Sequence, residues 1–287
     1  MPTEMALEAW AALQRLAGSE AKVHLTGGEP FLVFDRLLDI CQQAQQRGLG
    51  GADYVETNAG WVSEETEARH RLKALDATGL GRLKISWDAF HEEFVPVEKV
   101  RFLVQAAREI LGPERVLVRW QKYLDHPGTI GTMNEADRSS VLAGMMAQDA
   151  GRFTGRAAEV LGPLLATKTV PELATINCQG AILGAKGVHI DPYGNVFSGQ
   201  CSGMAVGNVN TTELDTLWKA FDPETSEFWR TLYAEGPAGF ITQAQASGYI
   251  LRSFYASKCH LCADIRRFFF DKGLYLPIIY PKECYGR

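Results

Sequence analysis

The chain has 287 residues, of which 46% are hydrophobic and 22% charged, and its formal net charge at pH 7 is -5. This composition is typical of a globular protein with a hydrophobic core, and the negative balance excludes an overall basic surface for nucleic acid. No apolar run is long enough to span a bilayer, and the N-terminus lacks the basic start and apolar core of a signal peptide. We therefore expect a cytoplasmic protein that has neither a membrane nor a nucleic-acid partner.

A strand–loop–helix unit repeats as far as Trp120. Residues 4–17 place Leu7, Trp10 and Leu13 near helical spacing, which predicts an amphipathic helix. Ser63 is predicted to open a later helix with a capping box. Strands are predicted within 21–25, 52–61, 82–95 and 114–120, and further helices over 31–49, 63–80 and 97–112. Because these units recur at intervals of roughly 30 residues, the sequence predicts a parallel sheet with right-handed crossovers.

The pattern changes in the second half of the chain. Helices are predicted over 134–148 and 153–166. The stretch GVHIDPYGNVF at 187–197 alternates around a turn-forming Asp-Pro-Tyr-Gly-Asn segment and predicts a β-hairpin. A final helix is predicted to start near Cys262.

Three of the predicted strands end in unusual polar segments, which are TGGEP at 26–30, ETN at 56–58 and SWD at 86–88. In parallel α/β proteins, ligands bind at the carboxyl ends of the strands. Adjacent glycines let the backbone approach a ligand, and short polar side chains can bind hydroxyl or carboxylate groups. Each segment also has a purely structural interpretation as a turn or, at Asp88, as a helix cap. Asp88 and His91 could instead perform acid–base chemistry.

The cysteines are the second group of candidate functional residues. A C-x-x-C pair at Cys259 and Cys262 can direct two thiolates toward one metal ion. Cys178 and Cys201 flank the predicted hairpin and would complete a set of four. Four thiolates suit zinc and an iron–sulfur cluster equally, and a redox-active Cys259–Cys262 pair is a further option. In a cytoplasmic protein, metal ligation is favoured over disulfides.

The other two cysteines receive no metal role. Cys41 lies on the apolar side of a predicted helix and is interpreted as a small buried hydrophobic residue. Cys284, close to the C-terminus, could serve as a spare or substitute ligand, but an incidental thiol is the favoured interpretation.

Taken together, the TGGEP, ETN and SWDAFH segments and the four ordered cysteines resemble the radical S-adenosylmethionine superfamily. The resemblance implies that the GGE motif contacts the amino group of the cofactor's methionine moiety, and that the next two strand ends line the same pocket. The residues it assigns to the cofactor are Gly27, Gly28, Glu29, Pro30, Thr57, Asn58, Ser86 and Asp88.

The order Cys178, Gly194, Cys201 and Cys259-x-x-Cys262 looks like the twitch extension, a short relative of the SPASM domain. In that extension four cysteines hold an auxiliary [4Fe-4S] cluster, so the resemblance assigns Cys178, Cys201, Cys259 and Cys262 to that cluster. The spacing from Gly194 to Cys201 is slightly longer than the usual twitch pattern.

One departure from the family is large. The signature C-x-x-x-C-x-x-C motif, whose thiolates hold the cluster that binds and reduces S-adenosylmethionine, does not occur in this sequence. Residue 5 already enters the helix that should follow that motif, so we expect the first strand and its cysteine loop to be missing, through a late start or a true loss. Radical chemistry by this chain is expected to be absent or very weak.

The predicted fold is α/β. Residues 1–165 are expected to form a partial (β/α)6 radical-SAM-type barrel without its first strand, and residues 166–287 a small Cys-rich, twitch/SPASM-like domain with a β-hairpin and a helix. In complete form, the resemblance implies reductive cleavage of S-adenosylmethionine and hydrogen abstraction from an unknown substrate. Relatives act on peptides, proteins and small molecules, and would draw electrons from a donor such as flavodoxin or ferredoxin.

The alternative hypothesis is a non-catalytic binding module. In that case the barrel remnant would bind a peptide or partner protein, and the four cysteines would hold a structural metal, either zinc or an iron–sulfur cluster.

Overall fold

The computed structural model describes residues 1–125, 133–148, 158–159, 162–184, 187–199 and 201–285. Contacts within the chain divide it into two compact units, Pro2–Asp149 and Ala150–Arg287, with Met1 grouped with the second. Within the described ranges, no helix combines the length and the apolar character needed to cross a membrane.

The first unit alternates helices with parallel strands. Its strands are β1 (His24–Leu25), β2 (Tyr54–Thr57), β3 (Arg82–Ser86) and β4 (Val116–Arg119). Its α-helices are α1 (Thr3–Ala17), α2 (Phe34–Gln46), α3 (Glu65–Asp76), α4 (Ala89–Glu92), α5 (Val97–Leu111), α6 (Gln121–Asp125) and α7 (Glu135–Gln148). Short 3-10 helices cover Gly18–Glu20, Pro30–Val33 and Pro113–Arg115.

The strands form one sheet in the order β1-β2-β3-β4, and every neighbouring pair is parallel. This confirms the predicted parallel α/β arrangement. Among the described residues β1 and β4 are the edge strands, so the sheet shows four strands side by side rather than a closed barrel.

The two faces of this sheet differ in polarity. Val55, Leu83 and Ile85 are fully buried, and α5 packs against β3 and β4. Tyr54 and Lys84 alternate with these apolar residues, so their side chains lie on the other face, where they are partly exposed. One face is therefore the apolar core, and the other is a polar surface.

One helix start in this unit differs from its prediction. Helix α3 begins at Glu65 with Glu64 in the cap position, and no cap side chain accepts a backbone hydrogen bond there. The predicted capping box at Ser63 is therefore wrong. Because the helix starts one residue later than that box requires, Ser63 lies outside the cap position and is exposed.

The second unit combines a small antiparallel sheet with helices. Its strands are β5 (Val188–Ile190), β6 (Asn195–Ser198) and β7 (Ala205–Asn208). Its α-helices are α8 (Val170–Ala174), α9 (Gln179–Ile182), α10 (Leu214–Ala220), α11 (Glu227–Glu235), α12 (Ile241–Ala246) and α13 (Lys258–Asp271). Short 3-10 helices cover Pro223–Thr225, Gly236–Phe240 and Lys282–Cys284.

The predicted hairpin is confirmed by the antiparallel pairing of β5 with β6. Its turn depends on Asp191, whose carboxylate accepts hydrogen bonds from the backbone N–H groups of Tyr193 and Asn195, and on Gly194, whose φ of +86° favours glycine. The third strand, β7, pairs with β6 and was not predicted.

The core of the second unit is rich in aromatic residues. Phe228, Phe240, Tyr255 and Phe269 are almost completely buried in one cluster, to which Cys178 also belongs. Two further cysteines, Cys201 and Cys262, pack against this cluster. The aromatic core thus places three of the six cysteines in one region of the fold.

The last helix starts earlier than predicted. Helix α13 begins at Lys258, because the Ser257 side chain accepts a hydrogen bond from the backbone N–H of His260 at 3.2 Å and so caps the helix. Half of the helix predicted over 153–166 falls outside the described residues; of the rest, residues 158–159 are helical and residues 162–165 form turns.

Candidate functional site

The carboxylate of Glu29 joins the ends of β1 and β2. One oxygen accepts hydrogen bonds from the Thr57 hydroxyl at 2.9 Å and the Phe31 N–H at 3.1 Å. The other accepts from the Asn58 N–H at 2.7 Å. Because Glu29 caps the short helix Pro30–Val33, the carboxylate is fixed by the same residues that form the bend.

Burial decides the protonation behaviour of Glu29. Desolvation raises the pKa of its carboxyl above the usual value, and the three hydrogen bonds only partly oppose this effect. The side chain is half-buried, so a ligand donor could still reach it. A nearby cation would lower this pKa and stabilise the ionised form.

The two glycines that precede Glu29 leave open space. Both have positive φ, +91° at Gly27 and +56° at Gly28, so their backbone conformation itself favours glycine. A Cβ at either position would meet no described atom within 4 Å. The bend is therefore exposed, and its backbone groups can approach a ligand.

Thr57 and Asn58 are used mainly inside the fold. The Thr57 side chain is 2% exposed, and its hydroxyl accepts hydrogen bonds from the Ala59 N–H at 3.1 Å and the Trp61 indole N–H at 2.9 Å. The Asn58 side chain accepts from the Gly60 N–H at 2.8 Å. These contacts stiffen the end of β2 and place Thr57 and Asn58 beside Glu29.

Asp88, beyond the end of β3, is a helix cap and a partner of His91. Its carboxylate accepts from the backbone N–H groups of Phe90 and His91 and lies 2.7 Å from the His91 Nδ1. Burial acts against ionisation, but the hydrogen bonds from His91 outweigh it and hold the pKa of Asp88 below its usual range. His91 also interacts electrostatically with Glu29. The ends of β1, β2 and β3 therefore lie in one neighbourhood.

The polar face of the sheet carries an ion pair between Glu56, of the ETN segment, and Lys84, which was not selected from the sequence. The Lys84 ammonium lies 3.2 Å from the Glu56 carboxylate and 5.2 Å from the centre of the Tyr54 ring. Ser86 continues the row on β3 and is in register with Arg119 of β4. The sequence contained a signal for this polar face. In the stretch RLKIS, the polar residues Arg82, Lys84 and Ser86 alternate with apolar ones, which gives β3 one polar side.

The four cysteines of the second unit come from three separate segments. Cys178 is the residue immediately before α9, and Cys201 lies in the loop between β6 and β7. Cys259 and Cys262 both belong to the first turn and a half of α13. The Lys258 ammonium donates a hydrogen bond to the Asn177 carbonyl and so ties the start of α13 to the chain next to Cys178.

These four sulfur atoms share one electrostatic environment. Burial raises the pKa of the Cys178 thiol to about 12, and the charges of Cys262, Cys201 and Cys259 act in the same direction, while Lys258 opposes them. A metal ion would reverse this balance, because a coordinated thiol loses its proton. Within the described ranges, no three or more His, Cys, Asp or Glu side chains form a ready metal-binding group.

A buried arginine lies beside the cysteines. Arg266 is 6% exposed, and its charge interacts with Cys262 and Cys201. Burial disfavours the cation, whereas Cys262, Tyr285 and Cys201 favour it when they are ionised and raise the pKa of Arg266 above its usual range. The sequence analysis missed this residue, although it lies four positions after Cys262 and hence on the same side of α13.

The two remaining cysteines differ in position, because Cys41 lies in the first unit, whereas Cys284 lies in the second and its thiol interacts electrostatically with Arg266. Cys41 is 1% exposed in α2, and burial raises the pKa of its thiol to about 11. Its burial confirms the interpretation of Cys41 as a small core residue. Cys284 is exposed near the C-terminus.

The chain matches no model of a known protein family, and no curated protein sequence matches it.

Proposed function

We propose that this chain belongs to the radical S-adenosylmethionine lineage and that its second unit holds one metal centre through Cys178, Cys201, Cys259 and Cys262. The observation that carries the proposal is that Cys178, Cys201 and Cys262, from three segments, meet at one aromatic core, with Cys259 in the same helix as Cys262 and the buried Arg266 hydrogen-bonded to the loop of Cys201. The resemblance implies that this centre is an auxiliary [4Fe-4S] cluster, held by a small Cys-rich domain.

The donor set suits such a centre. Four thiolates are the usual ligands of a [4Fe-4S] cluster and of structural zinc. Cys178, Cys201 and Cys262 are held by the aromatic core, and α13 fixes the spacing of Cys259 and Cys262. These cysteines would hold the cluster, and the core would keep water from it.

The strand ends of the first unit suit the methionine end of S-adenosylmethionine. The backbone at Gly27 and Gly28 is open to a ligand, and the Glu29 carboxylate can accept a hydrogen bond from an ammonium group. Ser86 and Asp88 would line the same pocket. Reduced by one electron, bound S-adenosylmethionine would supply a 5′-deoxyadenosyl radical. This sequence lacks the C-x-x-x-C-x-x-C motif that holds the reducing cluster in the family.

The polar face of the sheet supports a barrel-like arrangement. Parallel sheets of doubly wound proteins are covered by helices on both faces and are apolar on both. Here one face carries Tyr54, Glu56 and Lys84, which suits the lining of a polar cavity. The substrate class is not indicated by these residues.

A binding module with a structural zinc site is the second candidate. This candidate is favoured because the polar side chains at the strand ends already form hydrogen bonds with one another or with the adjacent backbone. These side chains are Glu29, Thr57, Asn58 and Asp88. In this case the strand ends would stabilise the sheet, and the four cysteines would have no redox role.

Metal analysis of purified chain distinguishes these functions. After anaerobic reconstitution, we expect iron and acid-labile sulfide in about equal amounts, as a [4Fe-4S] cluster requires. Substitution of Cys178, Cys201, Cys259 or Cys262 by Ser should remove most of the metal, because each supplies one ligand. The matched controls C41S and C284S should keep it.

Other results lead to different conclusions. Zinc without sulfide would favour the binding module. Metal that stays fully bound in C259S or C262S would contradict the four-cysteine centre and favour a thiol redox pair.

A further inference from the structure

The guanidinium of Arg266 is buried without a carboxylate partner among the described residues. The two acidic residues on its own helix are engaged elsewhere: Asp264 lies 2.8 Å from Arg252, and Asp271 lies 3.6 Å from Arg267. A buried cation without an anion is strongly unfavourable, because burial removes the water that stabilises its charge. This burial therefore requires an explanation.

The hydrogen bonds of Arg266 leave part of its guanidinium unsatisfied. Nη1 donates to the Ser202 carbonyl at 2.8 Å and to the Tyr285 hydroxyl at 3.1 Å. Nε is buried and has no partner among the described atoms. The neighbours of the guanidinium that can become anionic include Cys262, which also accepts a side-chain hydrogen bond from it, Cys201, Tyr285 and Cys284.

The same contacts hold the loop that carries Cys201. Ser202 follows Cys201 directly, and the Tyr285 hydroxyl donates a hydrogen bond to the Gly203 carbonyl. A Cβ at Gly203 would lie 2.7 Å from the Tyr285 hydroxyl and 3.1 Å from Arg266 Nη1, so the loop passes close to both side chains. Arg266 thus links the Cys262 side of α13 to the Cys201 loop.

We propose that Arg266 is a positioning residue that supplies the fixed positive charge for an anionic four-thiolate metal centre and holds the Cys201 loop in place. This inference rests on the proposed metal centre. Four thiolates around either Zn²⁺ or a [4Fe-4S] cluster leave a net negative charge, and a buried guanidinium close to that charge stabilises it. With neutral thiols and no metal, the same guanidinium has no anion and destabilises the fold.

The test compares metal affinity with the stability of the metal-free chain. R266M removes the charge, R266K keeps it, and R267M is the matched control on the adjacent, partly exposed position of the same helix. Affinity is measured by competition of zinc-loaded chain against a chelator, and stability by urea unfolding of the metal-free chain. We expect R266M to bind zinc roughly 10- to 100-fold more weakly, as removal of supporting partners of metal ligands does.

R266K should recover most of this affinity, and R267M should bind as the wild type does. Metal-free R266M should be at least as stable as the metal-free wild type. A merely structural arginine would give the opposite result, with R266M and R266K less stable in the absence of metal.

Each remaining outcome contradicts a specific claim. A wild-type chain that binds neither zinc nor iron would overturn the metal centre and this inference together. A metal-binding wild type with unchanged affinity in R266M would overturn only the role of Arg266. Failure of R266M to fold without metal, with R266K also destabilised, would assign Arg266 to the core instead.

Discussion

The carboxylates of Glu29 and Asp88 each accept several hydrogen bonds at the ends of strands in the first unit. The sequence identified both residues by their place after predicted strands. It could not identify the partners of Glu29, because Thr57 and Asn58 are 28 and 29 positions away along the chain. Only the pairing of β1 with β2 brings them together.

The contribution of Asp88 to stability can be tested by substitution. D88A removes the cap of α4 and should lower the free energy of unfolding at pH 7 by about 1 kcal/mol, as loss of a helix cap does. The folded-state pKa of Asp88 is lowered, so its contribution is present above the unfolded-state value of 3.8 and is lost as the pH falls through the folded-state pKa. The difference between wild type and D88A should therefore shrink below about pH 4.

Urea unfolding at several pH values measures this difference. E64A is the matched control, since Glu64 occupies the cap position of α3 without a side-chain hydrogen bond and its removal should have little effect. A difference between wild type and D88A that stays constant down to pH 2 would contradict the account.

At the scale of elements, the start of α13 determines the geometry of the cysteine pair. The sequence placed this start near Cys262, whereas the Ser257 cap places it at Lys258. Ser257 was an available signal, because serine is a preferred cap residue. The apolar alternation that predicted the β-strands was more reliable, since it directly reflects burial of one face of the sheet.

The cap leads to a prediction for the metal centre. S257A should lower the free energy of unfolding of the second unit by about 1 kcal/mol. It should also weaken metal binding, because fraying of the first turn displaces Cys259. Thermal unfolding and chelator competition measure the two effects.

Ser226 offers a matched control. It occupies the cap position of α11 without a side-chain hydrogen bond, so S226A should change neither property. An S257A chain that is destabilised but binds metal as tightly as the wild type would show that the helix start does not position the cysteines.

At the scale of the whole molecule, the alternating helices and parallel strands of the first unit were predictable from periodicity. The helices between β7 and α13 were not, because their apolar residues mix helical spacing with glycine and proline. The sequence suggested the set of four cysteines, but only the tertiary structure shows that Cys178, Cys201 and Cys262, which are far apart in sequence, pack at one aromatic core.

The missing cysteine motif gives a prediction for activity. Reconstituted chain, incubated with S-adenosylmethionine and a strong reductant, should form no 5′-deoxyadenosine above a control without protein. The reason is that the sequence lacks the C-x-x-x-C-x-x-C ligands, that the proposed centre would use the four cysteines of the second unit, and that Cys41 is buried in α2. Chromatographic detection of several equivalents of 5′-deoxyadenosine per chain would show that this reasoning is wrong.

The claim on which the account depends is that Cys178, Cys201, Cys259 and Cys262 bind one metal centre together. Alkylation of metal-loaded chain with iodoacetamide, followed by mass spectrometry of its peptides, tests it most directly. We expect Cys284 to be labelled at once, the four cysteines to be protected, and a chelator to expose all four at the same rate. Labelling of Cys178 and Cys201 in the loaded chain while Cys259 and Cys262 stay protected would contradict it.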